Sequence, residues 1–196
     1  MPEPYTVILA GPNGAGKSTT APALLRDTLA VEEFVNADVI ARGLSAFAPD
    51  KAALRAGRIM LHRLDALAAK KVNFAFETTL AARAFVPWIH SMQTAGYKIH
   101  LLFLALPDEK MAMQRVAARV NLGGHNIPQP VIARRFHAGL FNLFQRYLPI
   151  VSSWEIYNNA VFRAPVLIAK GERNGKTDII NAEDFNRLRK TYANGQ

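Results

Sequence analysis

An α/β fold built on a doubly wound, mainly parallel sheet is predicted by three observations. Short apolar runs alternate along the 196 residues with longer segments whose apolar residues recur at helical spacing. A glycine-rich run at residues 11–16 directly follows the first apolar segment, where a strand would turn into a helix. An Asn-Gly pair at 174–175 separates two strand-like segments and favours a tight hairpin turn. The sequence therefore predicts a five-stranded, mainly parallel sheet with helices on both faces and a C-terminal hairpin.

The strands are predicted from apolar content and from the residues that interrupt each run. Residues 5–10 are almost continuously apolar, as expected of a strand that is buried on both faces of a parallel sheet. Pro107-Asp108 stops the fourth strand. In chain order, the five strands are predicted at residues 5–10, 34–37, 73–76, 97–106 and 154–157, and the hairpin strands at 166–170 and 177–180.

The helices are predicted from apolar residues spaced three and four positions apart. Asp108 is expected to cap the amino terminus of one of them, since its side chain can accept from free backbone N–H groups. The helical segments are predicted at residues 18–29, 49–71, 84–95, 108–120 and 184–192. A further helix is predicted from the apolar stripe Ile132, Phe136, Leu140, Leu143 and Tyr147.

Composition predicts one domain spanning residues 1–196, because no linker, repeat or low-complexity tract interrupts a chain that is 50% hydrophobic. The absence of cysteine excludes disulfides and thiolate metal sites. With no signal-peptide pattern and no apolar window long enough for a bilayer, a cytoplasmic protein without membrane contact is expected. The net charge of +9 favours a polyanionic ligand such as a nucleotide, a nucleic acid or an acidic partner. Because the basic residues are scattered, we interpret the charge mainly as phosphate handling.

The residues from Gly11 to Ser18 fit the pattern G-x-x-x-x-G-K-[ST] of phosphate-binding loops. Glycines let the backbone wrap around an anion with its N–H groups turned inward, and the following helix adds its positive amino-terminal dipole. Lys17 is expected to reach the β- and γ-phosphates, and the Ser18 hydroxyl to hold Mg²⁺. Contacts to ATP are predicted for Gly11, Pro12, Asn13, Gly14, Ala15, Gly16, Lys17, Ser18 and Thr19.

Two carboxylates follow predicted strands at the edge where open α/β sheets bind ligands. Asp38 is predicted to end the second strand and to take the proton of an acceptor hydroxyl; a helix N-cap is the alternative. Glu77 follows the third strand and is predicted to organise Mg²⁺ or to bind the acceptor. Thr78 is also assigned to the acceptor, although strand termination explains Thr78 and Thr79 equally well.

Arginines around the glycine-rich segment at residues 121–128 predict a lid over about residues 115–135. Arg115 and Arg119 are four positions apart and therefore share one face of a helix. We expect them to be catalytic by stabilising charge on the transferring phosphoryl group, with Arg119 also contacting the nucleotide. A solvated basic face is the alternative interpretation.

The acceptor side is predicted from topology alone, at residues 42–60 and 77–90. Arg83 lies in the second of these segments and is assigned to acceptor binding. Arg134 follows the glycine-rich segment and receives the same assignment, with one of Arg134 and Arg135 expected to face solvent.

Taken together, these motifs resemble the zeta toxin family of P-loop kinases, in particular its compact, stand-alone bacterial members. The order of the motifs matches, and they spread over roughly residues 5–170. The matching stretches are residues 10–18, Val35-Asn36-Ala37-Asp38, Ala75-Phe76-Glu77-Thr78-Thr79, and Gly123-Gly124-His125-Asn126-Ile127-Pro128 followed by Arg134-Arg135.

The resemblance implies a P-loop NTPase/kinase fold and an enzyme that moves the γ-phosphate of ATP, with Mg²⁺, to a hydroxyl of a small molecule. The acceptor that it implies is a nucleotide sugar such as UDP-N-acetylglucosamine. It also implies that Asp38 deprotonates the acceptor, that Glu77 places acceptor or metal, and that the lid arginines clamp the phosphates. A toxin role, with a small antitoxin protein as partner, comes with the same resemblance.

Two alternatives stay open on the sequence. A polynucleotide or nucleotide kinase would suit the charge of +9, and its nucleic-acid binding would fall steeply with salt. A nucleotide-dependent switch would hydrolyse ATP without transferring phosphate. Against a switch, the chain has no Asn-Lys-x-Asp element, no Asp-x-x-Gly segment and no Leu-Ser-Gly-Gly signature. Paired lid arginines favour transfer in a closed site that excludes water.

Overall fold

The computed structural model describes residues 3–124, 126–161 and 164–193. Its strands are β1 (Tyr5–Ala10), β2 (Glu33–Val35), β3 (Phe74–Thr78), β4 (Lys98–Ala105), β5 (Ser153–Asn158), β6 (Val166–Glu172) and β7 (Thr177–Ile179). They form one sheet in the order β2-β3-β1-β4-β5-β6-β7. Neighbouring strands from β2 to β5 pair in parallel, whereas β6 and β7 are antiparallel. The predicted α/β fold is confirmed, and the hairpin extends the five parallel strands to seven.

The helices connect these strands near the predicted positions. They are α1 (Lys17–Ala21), α2 (Ala37–Leu44), α3 (Pro49–Ala69), α4 (Phe85–Thr94), α5 (Glu109–Asn121), α6 (Gln129–Asn142) and α7 (Ala182–Ala193). α1 continues as a π-helical segment over Pro22–Thr28, and α6 continues as another over Leu143–Tyr147. The Asp108 side chain accepts from the Met111 backbone N–H at 2.8 Å, so the predicted cap of α5 is confirmed.

The core lies on both faces of the central strands. Val7 to Ala10 of β1 are no more than 1% exposed, which requires cover on both faces because successive side chains point to opposite sides of the sheet. The predicted apolar stripe of α6 and its π-helical continuation is buried at every position: Ile132, Phe136, Leu140, Leu143 and Tyr147. Central β1 is thereby covered on both faces and paired on both edges, and the glycine-rich run leaves from its carboxyl end.

The predicted position of Asp38 is wrong, and the cause is Asn36. β2 ends at Val35, and Asn36 caps α2 by accepting from the backbone N–H groups of Asp38 at 2.8 Å and Val39 at 3.3 Å. The short amide side chain of asparagine reaches these free donors, as preferred N-cap residues do. Asp38 therefore neither ends the strand nor caps the helix. It lies exposed in the first turn of α2.

Glu77 and Thr78 lie within β3, not after it as predicted. They pair in register with Leu9 and Ala10 of β1. Because β1 runs directly into the glycine-rich loop, this register places the Glu77 carboxylate beside the start of that loop. The segment between α5 and α6 contains the predicted lid loop, and its His125 lies outside the described residues.

Candidate functional site

The loop from Gly11 to Ser18 has the backbone of an anion cradle. Gly11, Gly14 and Gly16 have φ values of 145°, 79° and 82°, a region that side chains rarely adopt. A Cβ at Gly11 would lie 2.3 Å from the Leu104 carbonyl oxygen, so β4 approaches the loop too closely for any side chain. Gly16 caps α1 without a side chain, which leaves the first N–H groups of the helix available to a ligand.

Lys17 lies folded against this loop. Its Nζ donates to the carbonyl oxygens of Gly11 at 2.9 Å and Pro12 at 3.0 Å, and the residue is 6% exposed. Burial lowers the pKa of Lys17, and the positive charge of Arg119 lowers it further, while Glu77 and then Asp38 raise it in opposition. The charges of Glu77, Asp38 and Arg119 therefore all act on Lys17.

Glu77 is the centre of the polar contacts at this edge of the sheet. Its Oε2 accepts from Ser18 Oγ and from Asn36 Nδ2, each at 2.8 Å, and its Oε1 lies 3.7 Å from Lys17 Nζ. The structure thus brings together the two predicted metal ligands, Ser18 and Glu77, and adds Asn36. Asn36 belongs to a matching motif but has no predicted role of its own; its position two residues before Asp38, directly after β2, was the available signal.

Arg115 lies on backbone carbonyls. Its Nη2 donates to the Ala160 oxygen at 2.7 Å, and its Nη1 is 3.5 Å from the Gly14 oxygen. The guanidinium therefore joins α5 to the phosphate loop and to residues 159–161, the segment that follows β5. The predicted catalytic role of Arg115 stays a prediction.

Asn159 is a site residue that the sequence analysis missed. It is 2% exposed, and its Nδ2 donates to the Ala15 oxygen at 2.6 Å across a separation of 144 residues. No local pattern marks this asparagine, because its partner is set by the packing of β5 beside β1 and β4. Its contact makes the segment after β5 part of the wall of the phosphate loop.

The remaining predicted residues are the arginines of the lid and of the acceptor side. Arg119 is exposed on α5, and its backbone oxygen accepts from the Gly124 N–H at 2.9 Å. Arg83 and Arg134 are both exposed, and Arg135 is partly buried. Arg83 and Arg134 are not brought into hydrogen bonds with the Lys17–Ser18–Glu77 cluster.

Thr78 is part of a turn that orders the loop after β3. Its Oγ1 accepts from the Leu80 N–H at 3.2 Å, and Leu80 has a φ of 57°. Asn142 of α6 holds the same loop by donating to the Leu80 oxygen at 2.7 Å and the Ala81 oxygen at 3.2 Å. Tyr147 donates to the Ala82 oxygen at 2.7 Å, and burial raises the pKa of Tyr147 to about 12. α6 and its π-helical continuation thereby hold the backbone of residues 80–82.

An open cavity of about 820 Å³ lies away from this cluster, towards the amino ends of β1, β4 and β5. Its lining includes Tyr5, His100, Ser153, Glu155 and Lys170, and none of the predicted site residues. Ligands of open α/β sheets bind at the opposite, carboxyl end of the strands. We therefore assign the candidate site to the polar cluster around Glu77 and not to this cavity.

Two comparisons place the chain among known sequences. Residues 7–140 match the family model described as "AAA domain". An uncharacterized protein of Haemophilus influenzae (strain ATCC 51907) is 26% identical over 130 residues, which cover 66% of this chain and 91% of that protein. Among the described residues, no helix is both long and apolar enough to cross a membrane.

Solved structures share the fold at low sequence identity. A chain of the AvrRxo1-ORF1:-ORF2 crystal structure with ATP superposes with a TM-score of 0.75 at 19% identity over 95% of this chain. This chain spans 63% of that one. A structure of the PezAT chromosomal toxin–antitoxin system of Streptococcus pneumoniae superposes with a TM-score of 0.62 at 14% identity, over 100% of this chain and 88% of that one. A putative kinase from Chloroflexus aurantiacus has a TM-score of 0.55 at 13% identity, over 68% of this chain and 74% of that one. The shared architecture is a P-loop, kinase-like fold.

Proposed function

The chain belongs to the AAA domain family, and on that premise we propose that it is a phosphotransferase that moves the γ-phosphate of ATP to a hydroxyl of a small molecule. One observation carries this proposal. Ser18 and Lys17 of the phosphate loop both contact Glu77 of β3, at 2.8 and 3.7 Å, and the charge of Asp38 reaches the same lysine. The phosphate loop and the start of the helix that carries Asp38 therefore meet at Glu77 through Asn36, and phosphoryl transfer uses both a phosphate cradle and a group that orients the nucleophile.

The donor half of the site is the loop itself. Backbone N–H groups at residues 16–18 would bind the phosphates of ATP, and Lys17 would leave the Gly11 and Pro12 carbonyls to contact the β- and γ-phosphates. The contacts of the backbone N–H groups and of Lys17 with the phosphates become stronger as negative charge moves towards the leaving oxygen. They consequently stabilise the transition state more than the bound substrate.

The donor atoms around Ser18 fit Mg²⁺. Ser18 Oγ and Glu77 Oε2 are oxygens 2.8 Å apart, the ligand type that Mg²⁺ prefers. The described part of the chain has no cluster of three His, Cys, Asp or Glu side chains, so phosphate oxygens and water would complete the coordination. When bound, the ion neutralises charge on the phosphates.

The acceptor half is assigned to Asp38. Its exposed carboxylate takes the proton of the acceptor hydroxyl as the hydroxyl oxygen bonds to the γ-phosphorus and the bond to the ADP oxygen breaks. Asn36 fixes the start of α2 and also donates to Glu77, so the base and the donor site share one rigid support. Arg119, with Arg115, would stabilise charge on the transferring group from a lid over about residues 115–135.

We propose a nucleotide sugar such as UDP-N-acetylglucosamine as the acceptor, bound through Arg83, Arg134, Glu77 and Thr78. The zeta toxin resemblance of the motifs supports this assignment. PezAT is a toxin–antitoxin system, and AvrRxo1-ORF1 occurs in a complex with AvrRxo1-ORF2. These two neighbours support a toxin that has a small protein as its partner.

The test is a transfer assay with γ-labelled ATP and a panel of hydroxyl-bearing metabolites that includes UDP-sugars, nucleotides and oligonucleotides. Label on a UDP-sugar is expected, and it should disappear in Asp38→Asn while ATP binding persists. Label on oligonucleotides would replace the acceptor by a nucleic acid. Release of free phosphate alone, with every acceptor unlabelled, would refute the phosphotransferase proposal in favour of a nucleotide-dependent switch.

A further inference from the structure

We propose that Asn159 is a positioning residue that holds the phosphate loop in its anion-binding conformation through the Ala15 carbonyl. The inference rests on the proposed ATP binding at this loop and adds a residue to it. Asn159 Nδ2 donates to the Ala15 oxygen at 2.6 Å, and the residue is 2% exposed. The hydrogen bond is therefore shielded from competing water.

Through the peptide bond between Ala15 and Gly16, this hydrogen bond also orients the Gly16 N–H. In a trans peptide, the C=O of one residue and the N–H of the next point in opposite directions. Asn159 binds the Ala15 oxygen from the segment after β5, so the Gly16 N–H points away from Asn159. Across the described residues, the N–H groups of Gly16, Lys17 and Ser18 donate to no acceptor in the protein. Asn159 thus orients one of the three backbone donors that the proposed phosphate binding uses.

The backbone at Asn159 and Ala160 is anchored by hydrogen bonds to neighbouring elements. Its backbone N–H donates to the Ala105 oxygen at 2.9 Å, directly after the last register pair of β4 and β5. The next carbonyl, that of Ala160, accepts from Arg115 Nη2 at 2.7 Å, and the Ala160 N–H donates to Asn158 Oδ1 at 2.9 Å. Hydrogen bonds to β4, to α5 and within the segment thus anchor Asn159 and Ala160 independently of the phosphate loop.

The orientation of the Asn159 amide is set by its contacts with Ala15 and Gly16. A Cβ at Gly16 would lie 2.9 Å from Asn159 Nδ2, so the amide and the glycine fit each other closely. Asn159 Oδ1 is buried and finds no partner among the described residues, which is destabilising. The opposite amide orientation would set two oxygens against each other at Ala15. The donor at Nδ2 is consequently the group that matters, and isosteric aspartate would remove it.

The test compares ATP binding in Asn159→Asp, Asn159→Ala and a matched control, Asn142→Ala. Asn142 is also a buried asparagine, 3% exposed, and also donates to backbone carbonyls, but those of Leu80 and Ala81. Calorimetric titration with a non-hydrolysable ATP analogue and Mg²⁺ gives the Kd of each variant. The titrations are done at a temperature at which urea unfolding curves show that every variant is folded. Both Asn159 variants should raise Kd at least tenfold, whereas Asn142→Ala should lose comparable stability and keep Kd within twofold.

Two results would overturn the inference: a Kd within twofold of wild type in the Asn159 variants, or an equal rise of Kd in Asn142→Ala. If Asn159→Ala does not fold, Asn159→Ser removes the amide with a smaller loss of volume and is judged by the same limits. The assay measures binding alone. Normal ATP binding without transfer to any acceptor would refute the phosphotransferase proposal and leave this inference intact.

Discussion

Removing the charge of Glu77 should destabilise the nucleotide-free protein because the charge of buried Lys17 depends on it. The Oε1–Nζ distance is 3.7 Å, and the two side chains are 12% and 6% exposed. At an effective dielectric constant of about 20, two unit charges at this distance attract by about 4.5 kcal/mol, before the cost of desolvation. Removing one partner of a buried pair typically costs about 3–5 kcal/mol. We expect Glu77→Gln to lower the free energy of unfolding by about 3 kcal/mol, or the Tm by about 6–12 °C.

A double-mutant cycle isolates the pair from other effects of the substitution. Lys17→Met removes the cation at similar volume, and the double variant leaves neither charge buried alone. Urea unfolding, followed by tryptophan fluorescence, should give a coupling of at least about 2 kcal/mol. The Arg63–Glu33 pair is the control, since its atoms are closer, 2.8 Å, but the side chains are 45% and 46% exposed. Its coupling should be about 0.2–1 kcal/mol. Additive losses at Lys17 and Glu77, within about 0.5 kcal/mol, would refute the argument.

Three further predictions follow from the site. Because the pKa of Lys17 is lowered in the folded protein, the unfolded state binds more protons between that pKa and 10.5. The stability of the nucleotide-free protein should therefore rise with pH in this window. Lys17→Met should abolish the rise, as measured by urea titrations at a series of pH values. The raised pKa of Tyr147, about 12, means that its stabilisation is complete below pH 10 and is lost as pH rises towards 12. Tyr147→Phe should flatten that alkaline loss, and an unchanged loss would show that another group causes it. Arg119→Ala should reduce kcat of transfer by about 10²–10³, as expected when one charge-stabilising donor is removed, with a smaller change in KM for ATP; an unaltered kcat would remove Arg119 from the transfer step.

Residues whose roles depend on a local pattern were the ones that sequence could identify. The loop from Gly11 to Ser18 is contiguous, and its glycines are required by backbone angles that the pattern itself specifies. Glu77 was recognised because a polar residue after an apolar run is visible in the sequence. Its three contacts were not predictable, since Asn36 is 41 residues away and Ser18 is 59 residues away.

Asp38 shows where a local argument failed. Both Asn36 and Asp38 are good capping residues, and the sequence alone does not decide between them. The structure decides through Glu77, because the Asn36 amide bonds to that carboxylate while its oxygen caps α2. Asp38 is thereby left exposed in the first turn of α2, and its assignment as the base stays a proposal.

The sequence by itself determined the sheet type, the phosphate loop and the identity of the charged residues around it, because these depend on hydrophobic periodicity and on backbone requirements within a few positions. Only the tertiary structure decided which groups meet. The β1–β3 register sets Glu77 beside the loop, and the β4–β5 pairing delivers Asn159 to Ala15. Hydrogen bonds act over about 3 Å, whereas the residues that make them are separated by up to 144 positions along the chain, so strand order and register had to be known first.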